Sequence, residues 1–162
     1  MSKSLDYMAA APEVVRPLYD ASKLLAESGI EQKLLVLVQL RVSQINGCAF
    51  CLALHRREGE ALGESADRLF GVAAWREAGW YSARERAALE WAEALTFVAR
   101  EHPHDDLLAR MKEHFSDKEL AYLTLAVNAI NAWNRLNVAF GTPPERADDV
   151  FKQLHRATVV HS

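Results

Sequence analysis

Apolar residues recur along this chain three or four positions apart, and no segment alternates between apolar and polar residues as a half-buried strand would. Glycines and prolines fall between the periodic segments, where they mark helix ends. The pattern predicts an all-α fold of about seven to eight helices. Their predicted positions are 12–27, 31–44, a segment that carries both cysteines and ends near Gly63, 65–77, 82–100, 105–115, 116–140 and 142–157.

Three capping boxes mark helix starts within this pattern. In a capping box, a Ser or Thr at the N-cap is followed three residues later by Glu, and each side chain bonds the other residue's backbone N–H. The three pairs are Ser82 with Glu85, Ser116 with Glu119, and Thr142 with Glu145. We therefore expect a helix to begin at each pair.

Two of the predicted helices are apolar on most sides. Residues 31–44 carry no charge between Lys33 and Arg41, and residues 120–140 are interrupted by an asparagine at every third position from Asn128 to Asn137. A helix that is apolar nearly all round is buried. Two such helices in a small domain predict a homo-oligomer, with a central core helix as the alternative. The asparagines predict polar contacts between helices.

Composition restricts the class of protein. The chain has 162 residues, half of them hydrophobic and a quarter charged, which fits a single globular domain over residues 1–162. The net charge is −3 and no long basic run occurs, so no nucleic-acid partner is expected. The N-terminus lacks the apolar core of a signal peptide, and the longest apolar run, residues 34–38, is too short to span a bilayer. We expect a cytoplasmic protein with no membrane partner.

The two cysteines and one histidine form the strongest chemical signal. Cys48 and Cys51 are three residues apart, and His55 follows four residues later. On a helix that turns about 100° per residue, these side chains fall within roughly 60° of one face. A disulfide needs two adjacent thiols, and a reactive thiolate needs a nearby base or cation. Asn46-Gly47 is a helix break with Asn as the N-cap, so we place the pair near a first turn, where free N–H groups favour a thiolate.

Three interpretations of the cysteine pair follow from the residues alone. In a reducing cytosol a Cys-x-x-Cys pair is more often catalytic or metal-binding than structural, which favours thiol redox chemistry. Cys48, Cys51 and His55 also supply three zinc ligands, but no second pair follows at finger spacing. An inert pair of core cysteines is the third interpretation. A c-type haem is excluded because Leu52, and not histidine, follows Cys51.

Other candidate side chains have an ordinary structural alternative. His55 precedes a charged segment, so it is either a functional residue or a surface histidine. Glu90 and Glu93 either approach the cysteines from another helix or form a solvated face, which is the commoner arrangement. The four tryptophans are expected to serve packing, although each is able to line a substrate pocket. They are Trp75, Trp80, Trp91 and Trp133.

The cysteine motif in its context resembles the active-site signature of the alkylhydroperoxidase D (AhpD)-like proteins, within the carboxymuconolactone decarboxylase superfamily. The motif is RVSQINGCAFC at residues 41–51, followed by His55. Two further stretches resemble the same family, RERAALEWAEALT at residues 84–96 and INAWNRLNVAF at residues 130–140. The resemblance extends over about residues 5–145.

This resemblance implies an all-α fold, assembly into trimers or hexamers, and thiol-dependent peroxidase activity that requires no cofactor and no metal. It implies that Cys51 attacks the hydroperoxide substrate, that Cys48 resolves the product as a disulfide, and that His55 relays protons. It also implies a lipoyl-bearing or thioredoxin-like partner that reduces the disulfide.

One position departs from the family's pattern. The family's proton relay includes a glutamate twelve residues before the first cysteine, and in this chain that position is Val36. Gln39 lies about one turn later, but an amide does not titrate. We therefore expect His55 to lack a carboxylate partner, and we expect Val36→Glu to raise peroxidase turnover.

Two other functions stay open on the sequence. A missing carboxylate is consistent with a non-catalytic redox sensor or scaffold, whose packing changes when the disulfide forms. The superfamily also contains carboxymuconolactone decarboxylase-like enzymes. That branch does not rely on a Cys-x-x-Cys pair, so the intact pair favours the peroxidase.

Overall fold

The computed structural model of the protein describes residues 5–159, with side chains as far as residue 154, and this part of the chain contains helices and no strand. The all-α prediction is confirmed. The nine α-helices of the described residues are α1 (Tyr7–Ala10), α2 (Pro12–Ala26), α3 (Gln32–Asn46), α4 (Ala49–Ala61), α5 (Ala66–Gly71), α6 (Ala83–Thr96), α7 (Leu107–Lys112), α8 (Asp117–Ala139) and α9 (Ala147–Val159). None of them combines the length and the apolar character that a membrane span needs.

Two of the three predicted capping boxes are confirmed. At the start of α6, the Ser82 hydroxyl accepts from the Glu85 N–H at 3.2 Å, and the Glu85 carboxylate accepts from the Ser82 N–H at 2.8 Å. The Ser116 and Glu119 pair at the start of α8 makes the same two bonds at the same distances. These reciprocal bonds satisfy backbone donors that have no partner inside the helix.

The third box, at Thr142, is wrong. A 3₁₀ turn spans Pro144–Arg146 and α9 begins only at Ala147. Pro143 has an extended backbone, with φ −66° and ψ 137°. The reason is that a residue before proline is pushed out of the helical region, and Pro144 follows Pro143 directly. Proline also has no N–H for a cap to bond.

Several predicted helices are shorter in the structure than the periodicity indicates. The predicted helix 65–77 is divided into α5 and a 3₁₀ turn at Val72–Ala74. The Tyr81 hydroxyl donates to the carbonyl of Arg68 at 2.6 Å, which ties the last turn of α5 to a later segment. The predicted helix 105–115 is reduced to α7, and α1 was not predicted at all. Such short helices depend on tertiary contacts, which periodicity does not report.

The core is built around the two apolar helices. Helix α3 packs against α4, α6 and α8, and eight of its residues are buried, which confirms the predicted burial. Helix α8 packs against α2, α3 and α6, and nine of its residues are buried. One chain therefore buries a large part of both helices, as the central-core alternative predicts. The homo-oligomer stays a prediction.

Candidate active site

The turn between α3 and α4 places the cysteines. Gly47 ends α3 in the left-handed region, with φ 67°, which glycine adopts without steric cost. The N-cap of α4 is Cys48, whose Sγ accepts from the N–H of Cys51 at 3.3 Å. The predicted helix restart is confirmed, but the predicted cap, Asn46, is wrong. Asn46 is instead the last residue of α3.

Asparagines hold this turn against α8. The side-chain amide of Asn46 donates to the side-chain oxygens of Asn131 and Asn134, both at 2.9 Å. The amide of Asn134 donates to the hydroxyl of Ser43 at 3.0 Å. Asn131 and Asn134 are buried, whereas Asn128 is exposed. The predicted polar helix–helix contact is thus confirmed for the middle of the asparagine series.

Cys48 and Cys51 form a disulfide, with their Cα atoms 5.4 Å apart. The structure therefore brings together the two sulfurs that the spacing placed on one face. Both residues are buried, at 1% and 2% exposure. Of the two, Cys51 is among the residues that line a cavity, and Cys48 is not.

The cavity has a volume of about 350 Å³ and a mostly apolar and aromatic wall. Trp133 contributes to this wall. The ring of Tyr19 packs edge-on against the ring of Trp133, with the two ring centroids 5.2 Å apart. Other apolar lining residues are Leu25, Leu35, Phe50, Leu54 and Ile130. Polar residues also line this space, and they are Ser22, Gln32, Gln39, His55, Glu58 and Asn137. An apolar pocket with a few convergent polar groups is typical of a binding site for a small molecule.

His55 extends from α4 into this cavity and is 8% exposed, so the surface alternative is wrong. Its Nδ1 lies 2.6 Å from Oε2 of Glu58, which is three residues later on the same helix. An ionised carboxylate only accepts hydrogen bonds, so Nδ1 of His55 carries the proton in this contact. In the neutral ring, Nε2 then holds the free lone pair and is the site that can take a proton.

The expectation that His55 has no carboxylate partner is wrong. Val36 is buried, lines the cavity and carries no charge, as the sequence requires. The carboxylate comes instead from α4, where Glu58 shares the helix of His55. Glu58 belongs to the charged segment that follows His55 in the sequence, and no role at the site was predicted for it. The spacing of three residues, which places two side chains on one helix face, was the signal that could have found it.

Asn137 is a second site residue that the sequence analysis did not single out. Its Nδ2 lies 3.5 Å from the Sγ of Cys51 and 2.9 Å from the carbonyl oxygen of Trp133. Its Oδ1 accepts from the hydroxyl of Tyr7 at 3.1 Å. The series of asparagines in α8 was the available signal, but it did not indicate which member faces the cysteines.

Glu90 and Glu93 do not reach the cysteine cavity. Glu93 is buried and accepts from Nε of Arg41 at 2.6 Å, from Trp75 at 2.9 Å and from Arg76 at 2.6 Å. Burial alone would raise the pKa of Glu93, but the hydrogen bonds from Trp75, Arg76 and Arg41 outweigh it and lower that pKa below 4.5. Glu90 pairs with Arg110 at 2.7 Å. Glu93 therefore does not form the solvated face that was expected, whereas the side chain of Glu90 is partly exposed, as that expectation requires.

The tryptophans divide between packing and the cavity. Trp75 is buried against Glu93, and Trp91 donates to the hydroxyl of Thr124 at 3.1 Å. Trp80 is half exposed. Of the four, Trp133 lines the cysteine cavity. Among the described residues, no three or more His, Cys, Asp or Glu side chains are grouped as metal ligands.

Comparison with known proteins gives the relatives of this chain. The sequence model of the carboxymuconolactone decarboxylase family matches residues 12–94. The chain is similar to the uncharacterized protein YdfG of Bacillus subtilis, with 37% identity over 141 residues, which are 87% of this chain and 96% of that protein. The match to the family model includes both cysteines and His55.

Solved structures share the same architecture. A protein of unknown function from Agrobacterium tumefaciens, named as a proposed antioxidant defence protein AhpD, has 36% identity and a TM-score of 0.84, covering 88% of this chain and 97% of its own. An uncharacterized peroxidase-related protein from Ralstonia eutropha, with an alkylhydroperoxidase AhpD core, has 19% identity and a TM-score of 0.75, covering 85% and 73%. At that identity the second likeness supports the fold alone.

Proposed function

Because the chain belongs to the carboxymuconolactone decarboxylase family, we propose that it is an AhpD-like thiol peroxidase that reduces a hydroperoxide through Cys51, Cys48 and His55. The observation that carries this proposal is the position of Cys51. Of the two bonded cysteines, it is the one that faces the cavity, and the pair formed by His55 and Glu58 lines the same cavity.

The first step is the attack of the Cys51 thiolate on the terminal oxygen of the hydroperoxide. A sulfur–oxygen bond forms and the oxygen–oxygen bond breaks, which leaves a sulfenic acid on Cys51 and an alkoxide. The alkoxide takes a proton and leaves as an alcohol, or as water when the substrate is hydrogen peroxide. His55 supplies that proton and removes the one that Cys51 loses beforehand.

Glu58 gives His55 the environment that this role needs. Oε2 of Glu58 lies 2.6 Å from Nδ1 of His55 and accepts its N–H. The carboxylate therefore fixes the tautomer of the ring, and it stabilises the positive charge of the ring when Nε2 is protonated. The free Nε2 is then available to the reacting groups in the cavity. The contact replaces, from α4, the carboxylate that the family pattern led us to seek at Val36.

The second step joins the two cysteines. The Cys48 thiol attacks the sulfur of the Cys51 sulfenic acid, the sulfur–oxygen bond breaks, and the oxygen leaves as water. The product is the Cys48–Cys51 disulfide that the structure contains. The two thiols together supply the two electrons that reduce the hydroperoxide.

Reduction of the disulfide requires an external dithiol, which is itself oxidised to a disulfide. Both sulfurs belong to residues exposed by 2% or less, so a broad protein surface does not reach them directly. A slender dithiol at the end of a flexible arm fits the apolar cavity better. We therefore favour a lipoyl-bearing partner over a thioredoxin-like one.

The redox-sensor alternative rested on the absence of a carboxylate beside His55. Because Glu58 supplies a carboxylate beside His55, the geometry favours catalysis over a sensor. The decarboxylase alternative gains no support from the site, since the bonded cysteines occupy its centre.

Family resemblance also supports assembly into a trimer or a hexamer. Several large apolar side chains are about half exposed on one chain, among them Val14 and Leu24 of α2 and Val138 of α8, at 52%, 50% and 54%. Sedimentation velocity at several protein concentrations is expected to show a trimer or hexamer. A single species of about 18.2 kDa would contradict this prediction.

The test of the peroxidase proposal is consumption of peroxide by the reduced protein. Hydrogen peroxide and cumene hydroperoxide are each supplied with dihydrolipoamide or with a thioredoxin system, and peroxide loss is followed over many turnovers. We expect turnover with at least one pair and none with Cys51→Ser. Stoichiometric disulfide formation without turnover would favour the sensor, and undiminished activity of Cys51→Ser would overturn the proposal.

A further inference from the structure

The amide of Asn137 lies in contact with the sulfur of Cys51, the cysteine that lines the cavity. Asn137 is 3% exposed, Cys51 is 2% exposed, and Nδ2 of the first lies 3.5 Å from Sγ of the second. An asparagine amide carries two N–H donors, and here the other is directed at the carbonyl oxygen of Trp133 at 2.9 Å. One donor therefore remains for the sulfur.

The orientation of this amide follows from its neighbours. Exchange of the amide oxygen and nitrogen would place Oδ1 against the carbonyl of Trp133, which only accepts hydrogen bonds. The hydroxyl of Tyr7 donates to Oδ1 of Asn137 at 3.1 Å, so the amide oxygen also has a partner in this orientation. The assignment of Nδ2 toward the sulfur of Cys51 is thus the one that satisfies all partners.

Tyr7 is well placed to act only as a donor. It is 6% exposed and its ring packs against Phe140 with the centroids 5.3 Å apart. Burial raises the pKa of Tyr7 to about 12, so its hydroxyl keeps its proton at any physiological pH. Helix α1, which supplies Tyr7, was absent from the sequence prediction, and this contact gives it a role at the site.

A hydrogen bond to a charged sulfur is stronger than one to a neutral thiol. A buried thiolate loses most of its contact with water, so a fixed N–H donor stabilises the charged form more than the neutral one. We propose that Asn137 stabilises the thiolate form of Cys51, and that Tyr7 is a positioning residue that holds the amide of Asn137 in its donating orientation.

This inference deepens the proposed function, because the thiolate is the form that attacks a peroxide. Its test does not use a peroxide, so the two proposals fail separately. The Cys48→Ser protein leaves Cys51 as the only cysteine of the chain, and serine preserves an N-cap at the start of α4. The rate of Cys51 alkylation by iodoacetamide, followed by mass spectrometry from acid to alkaline pH, reports its thiolate fraction.

In that background, Asn137→Leu removes both donors at similar volume. We expect the midpoint of the alkylation profile to rise by about one pH unit or more, which is a tenfold fall in the thiolate-to-thiol ratio at a given pH. Tyr7→Phe removes only the hydroxyl, so the expected shift has the same sign and is smaller. Thr124→Val is the matched control, because Thr124 is also in α8, its hydroxyl accepts from Trp91, and it does not line the cavity of Cys51.

Circular dichroism establishes that each variant is folded. An unchanged midpoint in folded Asn137→Leu overturns the role of Asn137, as does an equal shift in Thr124→Val, which would assign the effect to helix packing. If Asn137→Leu does not fold, Asn137→Ala, which also lacks both donors, takes its place in the same measurement. An unchanged midpoint in Tyr7→Phe overturns the positioning role of Tyr7.

Discussion

Nδ1 of His55 and Oε2 of Glu58 lie 2.6 Å apart on consecutive turns of α4, inside the cavity that Cys51 lines. This contact supplies a histidine and a carboxylate from a single helix. A histidine–carboxylate pair that is built on one rigid element is held more precisely than one shared with a loop.

Glu58→Gln is expected to lower peroxidase turnover by about 10²-fold or more, because the amide keeps the shape of the side chain but does not stabilise a protonated His55. Steady-state peroxide consumption measures the loss. Glu60→Gln is the matched control on α4, since Glu60 pairs with Arg56 and both side chains are about half exposed. Equal turnover in Glu58→Gln and the unaltered protein would exclude Glu58 from the relay.

Cys48→Ser and Cys51→Ser are expected to give different products when they react with peroxide. With Cys48→Ser the protein reacts once with peroxide and keeps a sulfenic acid on Cys51, because no second thiol is present to displace it. Cys51→Ser is expected to show no such product. Trapping with dimedone and peptide mass spectrometry locate the modification. A sulfenic acid on Cys48 of the Cys51→Ser protein would reverse the two roles.

Val36→Glu is no longer expected to raise turnover, since His55 already has a carboxylate. Val36 is 4% exposed in an apolar cluster, so the new carboxylate is expected to lower the free energy of unfolding by roughly 3 kcal/mol. Urea unfolding and peroxide consumption are measured together. Val36→Gln is the control, because it introduces a side chain of the same shape as Val36→Glu but without the charge. Faster turnover in Val36→Glu than in Val36→Gln would show that Glu58 is insufficient.

Glu93→Gln is expected to lower the free energy of unfolding near neutral pH by about 1–3 kcal/mol, because three donors lose a charged acceptor. The pKa of Glu93 is lowered in the folded protein, so its carboxylate stabilises the fold above the unfolded value of about 4.5. That contribution is lost as the pH falls through the lower folded value. The gap between the two proteins should therefore narrow in acid, below about pH 4.5.

Urea titrations at several pH values measure this gap. Glu77→Gln, at an exposed position, is the control and is expected to leave the free energy of unfolding nearly unchanged. A gap between Glu93→Gln and the unaltered protein that stays constant down to pH 2 would contradict the argument.

Local patterns in the sequence determined most of the helices. Periodicity predicted α2, α3, α6 and α8, and the capping boxes at Ser82 and Ser116 located two of their starts, because the hydrogen bonds involved join residues close together in the chain. The sequence also predicted that Cys51 and His55, four residues apart, share one face of α4, and both line the cavity, whereas Cys48 is the N-cap that precedes this helix. The shared face needs only the pitch of a helix.

The tertiary structure decided what those residues meet. Helix α4 packs against α3, α8 and α9, and in this arrangement Cys51 lines the cavity whereas Cys48 does not. The hydrogen bonds from Asn137 to Cys51 and from Tyr7 to Asn137 join residues 86 and 130 positions apart. No local pattern encodes such contacts, since they depend on how whole helices approach one another. Side chains distant in sequence therefore complete the site whose centre the sequence alone identified.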